Sequence, residues 1–124
     1  VKLNKDLVRD ILLALESDKD DPFGWKDLRF DDHSEEEVGY HICILAEGRF
    51  LIATDLSTMD GHDWRAERLT YDGHEFLDTI RDGQVWNLTK DTVKKAGVGG
   101  LKVLVEVGKS YARQKLVEHG VHLG

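Results

Sequence analysis

Ser34-Glu35-Glu36-Glu37-Val38-Gly39-Tyr40-His41-Ile42-Cys43-Ile44-Leu45-Ala46-Glu47-Gly48-Arg49-Phe50-Leu51-Ile52-Ala53-Thr54 is the stretch that decides the fold. Ser34 followed three residues later by Glu37 spells a capping box, in which the hydroxyl takes an orphan amide of the first turn and the carboxylate reaches back to the cap's amide. Three consecutive glutamates also suit the positive end of a helix dipole. On a helical wheel Val38, His41, Ile42 and Leu45 fall inward, while Glu36, Tyr40, Cys43 and Glu47 fall outward with Gly39 and Ile44 flanking. Gly48 reads as the left-handed stop. The chain then enters a β-prone run, Phe50 to Thr54, without a linker.

Beyond it a polar loop, Asp55 to Asp63 with Asp60-Gly61 as its turn, leads to a second strand, Trp64 to Leu69. Thr70 caps the next helix, whose inward residues are Phe76, Leu77 and Ile80. Arg81-Asp82-Gly83 breaks that helix, and Asp82 caps another running to Ala96 with Trp86, Thr89 and Val93 on one face. Leu101, Leu104, Val105, Gly108 and Ala112 fit a final helix to Glu118; Leu101, Val103, Val105 and Val107 alternate as a strand would. The tail Lys109 to Glu118 favours the helix. Gly97-Val98-Gly99-Gly100 reads as a linker, since a phosphate loop needs a preceding strand and a following Lys-Ser/Thr pair.

Toward the N-terminus, Asn4 caps a helix, with Leu3 and Val8 at the positions of a hydrophobic staple. Val8, Ile11, Leu12 and Leu15 form its face, Leu7, Leu13 and Ala14 widen it, and Ser17 to Pro22 ends it. Gly24 to Phe30 reads as a short strand joining the ribbon as a third member, although Trp25 and Leu28 also suit one helical turn. Helix, two-stranded wing and capped helix follow one another as in winged-helix domains. The fold class expected is α+β: a winged helix-turn-helix-like domain over 1–83, with a small antiparallel sheet, and extra C-terminal helices over 84–124 packed on it as one globular unit.

At 124 residues, 40% hydrophobic and 33% charged with a single proline, the composition is that of one folded domain rather than a disordered chain. No apolar run approaches membrane-spanning length, and Val1 to Asp6 lacks a signal-peptide apolar region. Cys43 is the lone cysteine, so no internal disulfide forms; a cytoplasmic location is the expectation. The net charge of −7 arises entirely in residues 1–48, which hold six Lys/Arg against thirteen Asp/Glu. From Gln84 onward seven basic residues face three acidic ones. Such polarity bears on partners rather than on fold.

Asp6 to Leu12, Ser34 to His41, Asp55 to Met59, Arg68 to Leu77 and Val85-Trp86 carry a resemblance that spans nearly the whole chain. In these words the chain resembles the bacterial and phage family called domain of unknown function 2513. The resemblance implies a winged-helix-like fold and a setting near prophages and mobile elements. It implies no catalytic or binding residue, because no activity is established for the family. The shorter set Tyr40-His41, Leu69-Thr70 and Gly73 is similar to winged-helix repressors more widely, whose recognition helices usually carry Arg, Lys, Gln or Asn outward; this one does not.

The function expected is that of a non-enzymatic regulatory or accessory protein of phage or mobile-element type. DNA is one candidate partner. Tyr40, with Arg65 and Arg68 on the wing and Lys90, Lys94 and Lys95 on the tail, would make the contact, and Lys102 and Lys109 add to the basic tail. The acidic net charge and the outward glutamates disfavour that partner, and the same cations also read as solvated surface. The alternative is a protein-interaction adaptor or inhibitor acting through Asp31, Asp32, Glu35 and Glu36, with DNA mimicry as one form of it. Capping explains Ser34, Glu35 and Glu37 equally.

No cofactor or metal is expected. His33, His41, His62 and His74 do not pair at ligand spacing, His41 reads as a core histidine bonded to a backbone carbonyl, and His62 as loop surface. Ser34 is occupied as a cap, and Ser57, Ser110 and Cys43 lack a nucleophile's context. Trp25, Trp64 and Trp86 read as core or wing anchors. Leu13, Val103, Val107 and Val117 suit either a homodimer seam or a helical core contact.

Overall fold

The computed structural model describes residues 1–19, 21–97 and 99–121. Its order is α1 (Lys5–Ser17), α2 (Glu35–Glu47), β1 (Leu51–Asp55), β2 (Trp64–Leu69), α3 (Tyr71–Ile80), α4 (Gly83–Ala96) and α5 (Leu101–Glu118). Five helices and a two-stranded antiparallel sheet among the described residues make it α+β. The chain forms two compact units, Val1–His74 and Glu75–Gly124, and the division falls within α3.

In the first unit α1 begins where Asn4 accepts the Leu7 amide at 3.0 Å. It buries Leu7 as well as Val8, Ile11, Leu12 and Leu15. The wheel drawn for α2 is the one observed: Val38, His41, Ile42 and Leu45 are buried. His41 is fully buried and joins the two helices. Its Nδ1 lies 2.8 Å from the Glu37 carbonyl, and its Nε2 accepts the Asn4 amide at 2.8 Å. A backbone amide only donates, so the ring carries its proton on Nδ1.

The exit from α2 differs from the expectation. Gly48 stays right-handed at φ −75°, and Arg49 takes the left-handed position at φ 65°. The Phe50 amide then returns to the Leu45 carbonyl at 2.9 Å, closing the helix end one residue later than the glycine suggested. Next to this corner Thr70 donates from its amide to the Phe50 carbonyl at 3.1 Å and from its hydroxyl to the Arg49 carbonyl at 2.5 Å. The hydroxyl also accepts the Gly73 amide at 3.0 Å, so Thr70 both caps α3 and clamps the start of β1.

The ribbon pairs Leu51 with Leu69, Ile52 with Arg68, Ala53 with Ala66, Thr54 with Arg65 and Asp55 with Trp64. Glu67 has no opposite number, which makes a bulge. The bulge decides the surface. Residues three apart on an unbroken strand point to opposite faces, yet here Arg65 and Arg68 sit across from Thr54 and Ile52, which share one face. The expected third strand, Gly24 to Phe30, reduces to a single bridge in which the Lys26 amide meets the Ala66 carbonyl at 2.7 Å. The Lys26 ammonium folds back onto the carbonyls of Asp21, at 2.6 Å, and Gly24, at 2.8 Å.

In the second unit the helix reading of 101–118 is the one observed. Its alternating valines find no ladder to join, and Leu104, Val105 and Gly108 are buried instead. Gly108 permits the close crossing: a Cβ there would lie 3.1 Å from Ile80 Cγ2 and 3.3 Å from Thr79 Oγ1. Phe76, Leu77, Ile80, Val85, Trp86, Thr89 and Val93 are buried as well.

Asp82 caps α4 by accepting the Gln84 and Val85 amides at 2.8 and 3.1 Å, and it also holds the Lys115 ammonium of α5. The bond from Lys115, then that from Val85, keeps the Asp82 carboxyl below its ordinary range. A group depressed by folding stabilises the fold above its unfolded pKa, and loses that effect as pH falls through the folded value. Asp82→Ala is therefore expected to lower the urea midpoint at neutral pH. The gap from wild type should close as pH drops from about 5 to well below the ordinary aspartate value of about 3.9. A gap that persists unchanged in acid would rule out this origin.

Candidate interaction surface

The outward side of α2 carries Glu36, Tyr40 and Glu47 exposed, with Cys43 half-buried. Ser34 accepts the Glu37 amide at 3.1 Å, but the reciprocal half of the capping box is replaced: the Glu37 carboxylate pairs with His33. Asp31, Asp32 and Glu36 are exposed and make no ion pair among the described residues. Tyr40 is 43% exposed and meets the edge of the His41 ring at a centroid distance of 6.0 Å.

From Glu35 a chain of alternating charges runs to the ribbon. Glu35 meets Arg29 at 3.2 Å, Arg29 meets Asp27 at 3.2 Å, Asp27 meets Arg65 at 3.2 Å, and Arg65 meets Asp63 at 2.8 Å. The hydrogen bond that Arg65 donates to Asp63, reinforced by the charges of Asp63, Asp27 and Glu35, pushes the Arg65 guanidinium further toward its charged form. Arg65 also stacks over Trp25 at 5.1 Å. The ribbon cation expected to grip phosphate is therefore engaged by two carboxylates and an indole. Arg68 differs. It lies 5.9 Å over Phe23, bonds the Leu69 carbonyl at 3.3 Å and makes no ion pair among the described residues.

Trp25 and Phe23 are the residues that sequence reasoning missed. Trp64 is half-buried and Trp86 buried, whereas Trp25 is 53% exposed and anchors no core. The alternation Phe23-Gly24-Trp25 beside a candidate strand was the signal available.

The other expected cations, Lys90, Lys94 and Lys95, lie on α4 in the second unit, whereas Tyr40, Arg65 and Arg68 belong to the first. Lys90 sits over the Trp86 ring at 5.5 Å, and Lys95 pairs with Asp91 at 3.0 Å. Lys94 is exposed and makes no ion pair among the described residues. Lys109 meets Glu106 at 3.8 Å, and Lys102 is exposed.

Burial, and then Glu47 at 3.8 Å from the sulfur, push the Cys43 thiol up, away from the thiolate that a nucleophile requires. Among the described residues no three His, Cys, Asp or Glu side chains gather as a metal site would need. None of the helices described is long and apolar enough to cross a membrane.

These features define an α+β protein whose first unit sets an acidic helix beside a ribbon face of arginines and exposed aromatics. The chain belongs to the family described as "Hypothetical protein (DUF2513)", which matches residues 2–99. It is similar to an "Uncharacterized protein" of Haemophilus influenzae (strain ATCC 51907 / DSM 11121 / KW20 / Rd). The two are 34% identical over 117 residues, which is 94% of this chain and 99% of the relative. No solved structure matches.

Proposed function

We propose that this chain is a non-enzymatic accessory module of winged-helix type, and that its partner is a protein docked on the acidic first unit. The order of α2, ribbon and capped α3 supports the winged-helix assignment, and the free Cys43 accords with a reducing compartment. One observation carries the choice of partner: Arg65 is held by Asp27 and Asp63 beside a helix that points Glu36 and Glu47 outward. Residues 1–74 hold nine Lys/Arg against eighteen Asp/Glu, a net −9. Affinity for DNA rests on Lys and Arg side chains that neutralise phosphates and release the duplex's condensed counterions, and a unit at net −9 repels the phosphates instead. The same field steers a basic protein toward the α2 end.

A second reading, duplex DNA on α4, has exposed Lys94 behind it together with the basic balance after Gln84. Affinity purification from the source cells separates the two. Asp32→Lys combined with Glu36→Lys is expected to lose a basic protein that wild type retains, while the urea midpoint falls only slightly from the charge reversal in the first turn of α2. Retention by the double variant, or recovery of nucleic acid alone, counts against the protein reading.

A further inference from the structure

The outer face of the ribbon is an unpartnered surface with the composition of an interface centre. Phe23 is 74% exposed, Trp25 53% and Ile52 38%, which is uncommon for large apolar side chains lying next to one another. They gather about the two arginines beside the Lys26–Ala66 bridge: Phe23 lies over Arg68 and Trp25 over Arg65, while Ile52 pairs across the ladder with Arg68. Trp and Arg dominate the energetically decisive positions of protein interfaces, and such positions form an apolar centre with a polar rim. Carboxylates supply the rim here: Asp21 bonds the Phe23 amide at 2.9 Å, Asp63 holds Arg65, and Glu67 accepts from Thr54 at 2.9 Å. The whole unit is acidic, at a net −9.

We infer that Phe23, Trp25, Ile52 and Arg68 form the anchoring site for a basic, apolar segment of the protein partner, whose leucine-like side chains seat on the aromatics while its lysines or arginines meet the carboxylate rim. The inference rests on the protein-docking reading above and places its anchor on the ribbon rather than on α2. Charge complementarity selects the occupant. An acidic segment would face the unit's net negative field with Arg68 as its unpaired attraction, and a nucleic acid would face the same repulsion.

The test is an amide NMR titration of the whole chain with three short peptides: alternating Leu and Lys, all Lys at equal charge, and alternating Leu and Glu. The Leu–Lys peptide is expected to move the amides of Phe23, Ile52 and Arg68 and the Trp25 indole, and to bind more tightly than the other two. Phe23→Ser with Trp25→Ser should weaken it by roughly tenfold or more. The wild-type map stands as evidence even where that variant folds poorly.

Shifts centred on Asp31, Asp32 and Glu36 instead would overturn the anchor while leaving protein docking intact. Absence of shifts anywhere in residues 1–74 would overturn both. Equal binding by the all-Lys or the Leu–Glu peptide would also overturn the anchor. So would peptide-free dimerisation abolished by the same double variant, which would make the occupant a second copy.

Discussion

Gly73→Ala is expected to cost about 3 kcal/mol or more, or to prevent folding altogether, since overpacking against rigid neighbours reaches this range. A Cβ at position 73 would lie 1.8 Å from the Phe50 carbonyl oxygen and 2.9 Å from its carbon. Backbone cannot swing aside as a flexible side chain does. The Phe50 carbonyl also receives the Thr70 amide, and Thr70 holds Arg49, so movement there breaks the corner that joins α2 to β1 and starts α3. Gly39→Ala gives the contrast. Nothing lies within 4 Å of a Cβ there, and an alanine in mid-helix is expected to add roughly 0.5–1 kcal/mol. Urea denaturation followed by circular dichroism reads both. A Gly73→Ala protein as stable as wild type would mean that α3 does not rest on Phe50.

His41→Ala is expected to cost about 3 kcal/mol, combining the cavity left by a fully buried ring with the loss of two hydrogen bonds. His41→Phe separates these contributions. It refills most of the volume but leaves the Asn4 amide without its acceptor, so a loss of about 2 kcal/mol remains. The loss should be local in its signature. Hydrogen exchange at the first turn of α1 should quicken more than exchange in the middle of α2, because the ring ties Asn4 to Glu37. A phenylalanine variant with wild-type stability and exchange would show that apolar packing alone seats α1.

What the sequence made legible is what local chemistry determines. Asn4, Ser34, Thr70 and Asp82 are caps in the structure because each places an oxygen next to an orphan amide within three residues. The inward residues of α2 and the bounds of β2 followed from periodicity. The departures are tertiary. Arg49 takes the left-handed turn because Phe50 must reach both Leu45 and Thr70. Glu37 turns to His33, and residues 24–30 meet the ladder in one bridge, with the Lys26 ammonium held by the Asp21 and Gly24 carbonyls. Of the candidate site, Tyr40 and the acidic start of α2 were legible from the helical wheel. The face shared by Arg65 and Arg68 was not, because it depends on the bulge at Glu67. Nor were Asp27 and Trp25, which reach Arg65 across more than thirty positions of sequence.

If the α2–ribbon unit meets protein rather than nucleic acid, as proposed, random duplex DNA should fail to bind it even at low salt. Electrophoretic mobility at about 50 mM salt, where non-specific affinity is enhanced, should show no retardation dependent on the first unit. Arg65→Gln and Arg68→Gln should leave the result unchanged. A shift that weakens with salt and is lost in either arginine variant would make nucleic acid the partner of the ribbon.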